Sequence, residues 1–501
     1  MDRIAVIDYG SQYTLLLARR IREMGVFCTV ASPEEFKVES EIKGVVLSGG
    51  PQSVYEEGAL GFPKQLEGFP VPIMGICYGM HLLAKKLGGE VRSGALGEYG
   101  LTNVSMDNER FRDIPEEIVT WMSHGDEVTS LPAECKVIAR SKNGITAGFS
   151  NGRDIAFQFH PEVNHTQFGT NLIEDFVFNV CNASRNWKLS AFAERKVEEI
   201  KRAVGNSKVV GGLSGGVDST VAAVLTSKAV GDAFTGIFVN HGLMRKNEDI
   251  EVCEALRSLG IKLINVDASE EFFRELKGID NPEEKRKIIG KTFIKVFERE
   301  ANKLNASFLL QGTIYSDVIE SGAASKNSAK IKSHHNVGGL PDKMNLKLLE
   351  PIRELFKDEV RNLGYSLGIE PSLLTRQPFP GPGLGVRIIG EVDSEKARIL
   401  KEVDSIFMDV LRKSGESEKI WQSFAVLLPV FSVGVKGDKR SYGYVVALRA
   451  VNSSEGMTAS WHELPHEILR EASSRITSGV REVGRVVFDI TDKPPATIEW
   501  E

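Results

Sequence analysis

Cys77 lies in GICYGMH (75–81), where an apolar run ends and an amphipathic one, HLLAKKLGG, begins. A cysteine at such a strand-to-helix corner is held open to a substrate, with the next backbone N–H aimed where an oxyanion would form. The helix N-terminus also favours the thiolate. Gly75 and Gly79 let the chain turn sharply and let a substrate approach closely. Most free cysteines are only small buried hydrophobes. Cys77 differs because FHPEV, behind another apolar run, supplies His160 and Glu162. An imidazole base oriented by a carboxylate is what a nucleophilic triad requires. LSGGP (47–51) adds a Gly-Gly turn able to offer further backbone donors.

A second constellation is LSGGVDST (213–220), between the apolar run KVVGG and the helical run TVAAVLTSKA. Successive backbone N–H groups of a Gly-Gly loop at a helix start form an anion nest, here Ser214, Gly215, Gly216, Val217, Asp218 and Ser219. The Ser214 and Ser219 hydroxyls add donors. Asp218 cannot attract phosphate directly, so its expected role is through Mg²⁺ or in pinning the loop. A chance Ser-Gly-Gly-x-Asp-Ser has odds on the order of one in a thousand in a chain of this size, so this is more than an ordinary turn. It is not the GxxxxGK[ST] loop.

The elements that position these residues follow from the pattern. IAVID (4–8), GVVLSGG (44–50) and VPIMGIC (71–77) read as buried parallel strands whose C-terminal ends carry function, and IAFQFH (155–160) is another strand candidate. TLLLARRIREMG has helical spacing and a Gly stop. WKLSAFAERKVEEIKRAVG is a charged amphipathic helix, after which KVVGGLSGG, FTGIFVN (234–240), IKLINVD (261–267) and SFLLQGT (307–313) begin a second alternating series. RQPFPGPGLGVR (376–387) cannot be regular helix and reads as a hinge or rigid loop. FAVLLPVFSVGV and YGYVVALRAV are strands of a last, α+β part. The Lys-, Arg- and Glu-rich stretch 277–305 reads as a solvated helix face. The expected fold is therefore α/β: two doubly wound domains with mainly parallel sheets, 1–186 and 187–376, then a C-terminal α+β domain, 377–501.

Composition narrows the function classes. Of 501 residues, 42% are hydrophobic and 26% charged, the balance of a globular protein, and the net charge of -6 gives no basic stripe for nucleic acid. The five cysteines lack CxxC or metal-ligand spacing, which suits a reducing, cytoplasmic compartment. MDRIAVIDYG is too short for a signal-peptide core, and no uninterrupted apolar run is long enough to span a membrane.

With these residues in view, residues 1 to about 185 resemble a class I glutamine amidotransferase, a family that frees ammonia from glutamine through a thioester. The resemblance implies Cys77 as nucleophile, His160 as base, Glu162 as third member, and Gly49 and Tyr78 as oxyanion-hole positions. It brings in His124 and Asp126 of SHGDE (123–127) as further candidates near the glutamine. His81 stands where the family carries Gln, a position that helps hold the substrate. SGGVDS resembles the loop of the N-type ATP pyrophosphatases, which cleave ATP between its α and β phosphates. QGTIYSD (311–317) and FVNHGLMR (238–245) match further motifs of that family, bringing in Gln311 and Asp317; Asn240 and Ser316 replace its usual Asp and Pro.

From DYGSQY (8–13) to KPPATIEWE (493–501), the chain resembles the family that fuses both parts to aminate XMP to GMP. That resemblance implies glutamine, MgATP and XMP as small-molecule substrates. It implies Lys357 near the ATP phosphates, and Arg286, Arg485, Lys493 and Glu499 as XMP contacts. A lid would carry Lys332, His334 and His335, with Gly338 and Gly339 as hinges, and the C-terminal domain would form a two-fold homodimer. Two alternatives stay open at this point: another acceptor, as in NAD or asparagine synthesis, and a non-catalytic nucleotide sensor.

Overall fold

The run RIAVI is apolar along its whole length, so both of its faces must be covered, and it becomes a central parallel strand. In a computed structural model of the chain, which describes residues 1–107, 109–319, 346–436, 438–453 and 458–501, it is β1 (Arg3–Ile7). The first of two compact units, Met1–Phe192, is built on a nine-stranded sheet in the order β2-β1-β3-β4-β9-β8-β7-β5-β6. Here β2 is Phe27–Ala31, β3 Ile42–Leu47, β4 Ile73–Ile76, β5 Glu90–Met106, β6 Glu117–Ser130, β7 Lys136–Ser141, β8 Thr146–Ser150 and β9 Ile155–Phe157.

The strands from β2 to β9 in that order run parallel, as the apolar runs of β1, β3 and β4 predict, and helices α1 (Thr14–Glu23) and α2 (Tyr78–Leu87) follow β1 and β4. The remainder is an antiparallel extension that the sequence reading did not include. Its cause is visible in β6, EIVTWMSHGDEVTS, whose residues alternate between buried and exposed as in a sheet with one covered face.

The helix α3 (Leu189–Val204) occupies the amphipathic run read from the sequence. The second unit, Ala193–Glu501, holds an all-parallel sheet in the order β12-β11-β10-β13-β14. These are β10 (Val209–Gly212), β11 (Phe234–Asn240), β12 (Leu263–Asp267), β13 (Phe308–Leu310) and β14 (Lys347–Leu349). The order reverses direction between β10 and β13, which opens a crevice at the C-terminal ends of those strands. Three helices matter for the site: α4 (Val217–Val230), α5 (Pro282–Asn302) and α6 (Lys357–Ser366).

In the C-terminal part, β15 (Gln422–Lys436) and β16 (Lys439–Asn452) form a long hairpin, to which β17 (Ser460–Trp461) and β18 (Val483–Phe488) add. Helix α7 (Ser394–Lys413) packs on it, and one buried core runs from Val210 and Ile237 to Phe407 and Val446. The Pro- and Gly-rich segment 376–387 is not α-helical; only Gly383–Val386 forms a 3-10 turn. The charged helix α5 departs from expectation at one residue, because Lys285 is wholly buried rather than solvated.

Candidate active site

Cys77 occupies the corner between β4 and α2 with φ 51 and ψ -108, a backbone strain found at nucleophile elbows. Two glycines make the corner possible: a Cβ at Gly79 would lie 2.1 Å from Leu47 O, and one at Gly75 would lie 2.6 Å from Gly79 O. The Cys77 N–H donates to Phe157 O at 2.8 Å, which ties the elbow to β9, the strand leading to His160. His160 Nδ1 lies 2.7 Å from Glu162 Oε1, both side chains are buried, and the Cys77 sulfur acts on the ring's charge. Burial alone would lower the imidazole's pKa; the Glu162 carboxylate and the Cys77 sulfur together outweigh it and push His160 up to about 10.

Gly49 stands against this pair, since a Cβ there would be 3.0 Å from His160 Cε1 and 3.6 Å from Cys77 Cβ. Tyr78 is the first residue of α2, so its N–H has no carbonyl one turn back. Its ring is fixed elsewhere, the hydroxyl donating to Leu60 O at 2.6 Å. His81 is buried with its Nε2 donating to Gln158 Oε1 at 2.7 Å, and burial pushes its pKa down to about 4, so the ring is neutral. His124 joins Glu98 at 3.2 Å, and Asp126 accepts from the Tyr55 hydroxyl at 2.6 Å. These two form a buried polar cluster on the antiparallel extension, where Ser123 O lies 3.7 Å from Cys77 Sγ.

In the second unit residues 214–216 lead from β10 into α4, whose first turn holds residues 217–219, at the crevice. Gly215 has φ 75, a conformation a Cβ would resist, and the Gly216 N–H turns back to Ser214 Oγ. Gly312, after β13, packs against this loop so closely that a Cβ would lie 2.9 Å from Ser219 N. Lys357, first in α6, grips Asp218 at the start of α4, its Nζ 2.7 and 2.6 Å from the two carboxylate oxygens. Two helix N-termini thus meet beside the loop. Gln311 N donates to Leu349 O, while Asp317 accepts from Ile314 N at 3.0 Å. Among the described residues no three His, Cys, Asp or Glu side chains gather as a metal site.

The predicted nucleotide contacts divide. Glu499 is taken by two residues the sequence reading missed. Arg387 forks onto it with Nε and Nη2 at 2.9 and 2.8 Å, and Gln422 donates to it at 2.8 Å. Arg387 is wholly buried under Phe379 and Phe424, with its Nη1 lacking a hydrogen-bond partner. A buried donor left open beside such a cluster suits an incoming oxygen. Arg286 meets the main-chain oxygen of Glu501 instead. Arg485 is exposed, donating to Ser432 Oγ at 2.9 Å, and the Lys493 main chain pairs with Ala459. Lys332, His334, His335, Gly338 and Gly339 lie outside the described residues. The missed signal was the apolar setting of Arg387 in GLGVRII, a poor place for a surface cation.

Three families match in series: "Glutamine amidotransferase class-I" over residues 5–180, "NAD synthase" over 188–291 and "GMP synthase C terminal domain" over 409–500. The glutamine-hydrolysing GMP synthase of Thermotoga maritima is 55% identical over 501 residues, covering 99% of this chain and 100% of its own. The chain belongs to the glutamine-hydrolysing GMP synthases. Members from Aquifex aeolicus, 53% identical across 99% of both chains, and Clostridium botulinum, 50% identical across 100% of this chain and 99% of its own, agree with the assignment. The middle match alone would leave NAD synthesis open; the C-terminal match and these full-length members of the GMP synthase family do not.

Proposed function

We propose that this enzyme hydrolyses glutamine at Cys77 and uses the ammonia, with ATP, to convert XMP to GMP. The observation that carries this reading is the presence in one chain of an elbow cysteine paired with His160–Glu162 and an anion-nest loop at a sheet's switch point. The imidazolium of His160, held by Glu162, lies beside Cys77 Sγ. Cys77 Sγ then attacks the glutamine amide carbon, with the backbone N–H groups of Gly49 and Tyr78 stabilising the oxyanion. His160 returns the proton to the leaving ammonia, and Glu162 keeps the ring aligned.

In the second unit, residues 214–219 and Lys357 receive the ATP phosphates. The C2 oxygen of XMP attacks the α-phosphorus, pyrophosphate leaves, and ammonia displaces AMP at C2. Adenylation makes that oxygen a leaving group. Asp218 is partly exposed and would be the carboxylate that holds Mg²⁺ beside the phosphates, where the ion would supply neutralising charge. Lys357, now paired with Asp218, would then turn to the phosphates. Arg387, Gln422 and Glu499 form the centre of the proposed XMP site, with Arg286, Arg485 and Lys493 as its further cations.

The divisions 1–186, 187–376 and 377–501 would serve as glutaminase, adenylating and nucleotide-binding dimerisation domains. The homodimer reading draws support from the hairpin, where Phe431, Val433 and Val435 line one exposed face of β15. A cytoplasmic location suits the five free cysteines, and no helix among the described residues is long and apolar enough to cross a membrane. The deciding assay follows GMP, AMP and pyrophosphate from XMP, MgATP and glutamine. Equal amounts of all three are expected; pyrophosphate without GMP, or ADP in place of AMP, would overturn the reading.

A further inference from the structure

Lys285 is the one charged residue of helix α5 that lies wholly inside, and nothing in the proposed chemistry uses it. Its Nζ spends all three donors on fixed partners: Ile388 O at 2.7 Å, Gly385 O at 3.4 Å and Glu501 Oε2. The two carbonyls flank Arg387 on either side. Glu501 is two residues beyond Glu499, and its other oxygen takes the Gly390 N–H at 3.4 Å. Next to Lys285 on α5, Arg286 holds the Glu501 main-chain oxygen.

On the other side of Glu499 the chain is also held. Buried Arg449 donates to Ile498 O at 2.8 Å and to Thr497 O at 2.9 Å, with Asp489 neutralising it at 2.6 Å. Glu499 is thus bracketed by two buried cations, and only Lys285 reaches both Glu499's segment and that of its partner Arg387. Burial pushes the Lys285 amine down and the Glu501 carboxyl up, so desolvation outweighs the pairing at both ends. A buried ion pair of this kind adds little net stability over apolar residues of the same size. Its effect is to fix where its partners lie.

We propose that Lys285, through Glu501 and the carbonyls of Gly385 and Ile388, is a positioning residue that sets the Arg387–Glu499 spacing on which XMP affinity depends. This rests on reading the Arg387–Glu499 cluster as the XMP site. The full-length enzyme is assayed with ammonium as nitrogen source, titrating XMP and ATP separately. Lys285→Met alone would leave a buried carboxylate unpaired; Glu501→Ala leaves the lysine on its two carbonyls, and the double Lys285→Met, Glu501→Met buries no charge, so these two are the variants. Misplacement of a binding group by about an ångström costs up to ~100-fold, so KM for XMP should rise ~10-fold or more in both, with kcat and KM for ATP within about twofold.

Glu499→Gln is run alongside. If it raises KM for XMP while the other two leave it unchanged, Lys285 does not position the cluster and the proposal is wrong. If Glu499→Gln itself leaves KM for XMP unchanged, the underlying reading of the site fails and the proposal with it. A lowered Tm with kcat reduced and KM for XMP unaltered would mark a purely structural lysine and would also overturn it.

Discussion

The φ of 51 at Cys77 is a conformation that costs a non-glycine residue of order 1–3 kcal/mol, and it persists because its neighbours leave no alternative. That strain points the sulfur at His160 and leaves the Tyr78 N–H for an oxyanion. Cys77→Ala should therefore abolish GMP formation from glutamine while leaving synthesis from ammonium salts near wild type; equal loss with both nitrogen sources would contradict the separation of the two reactions. Asp218→Ala should stop both, since it removes the carboxylate at the phosphate loop and leaves Lys357 without its partner; continued pyrophosphate release would count against the ATP assignment. The His160 pKa of about 10 has a kinetic consequence. The imidazolium is the working form through neutrality, so glutaminase rate should show no histidine inflection near pH 6.5 and should fall as pH rises through about 10. A rate profile from pH 6 to 10.5 in Cys77-intact enzyme tests this.

Between residues and fold, close contacts of backbone with backbone decide what can change. A Cβ at Gly79 would fall 2.1 Å from Leu47 O, on a strand that cannot retreat. Gly79→Ala should cost about 2–4 kcal/mol in urea denaturation of the first unit and lower glutaminase rate ~100-fold, with ammonium-dependent synthesis retained. The sequence made the elbow legible because Gly75, Cys77 and Gly79 fall where an apolar run meets a helical one. The phosphate loop was legible for the same reason. The antiparallel extension was not legible: the covered face of EIVTWMSHGDEVTS carries Thr120, His124 and Asp126 while Val119 and Trp121 lie on the other, so the buried–exposed alternation has no matching alternation of apolar and polar residues. Arg387 showed only an unusual apolar setting in GLGVRII, with nothing to name its partner, and Lys285 in its charged helix showed not even that. Each is a single cation whose burial depends on partners more than a hundred positions away, Glu499 and Glu501, and no local pattern encodes a contact of that range.

At the scale of the molecule, the apolar face of the hairpin and the buried histidines each predict a solution property. Val433 and Val435 are 53% and 74% exposed on one side of β15. A second copy covering that face would be lost on Val433→Glu with Val435→Glu, so the variant should sediment as a monomer; an unchanged mass would place any dimer contact elsewhere. The histidines set the acid limit. Burial pushes His81 in the first unit and His241 in the second down to about 4. Unfolded, each takes a proton near pH 6.5; folded, neither does until about 4. Over that interval the unfolded chain binds more protons, so stability present above pH 6.5 is lost as pH falls, by roughly 3 kcal/mol per histidine. The loss belongs to both units, because each carries one such ring. Urea midpoints should accordingly drop for both unfolding transitions between pH 7 and 4.5. His81→Gln, which cannot be protonated, should flatten the pH dependence of the first unit alone. If it leaves that slope unaltered, His81 is not the group whose burial limits the unit in acid.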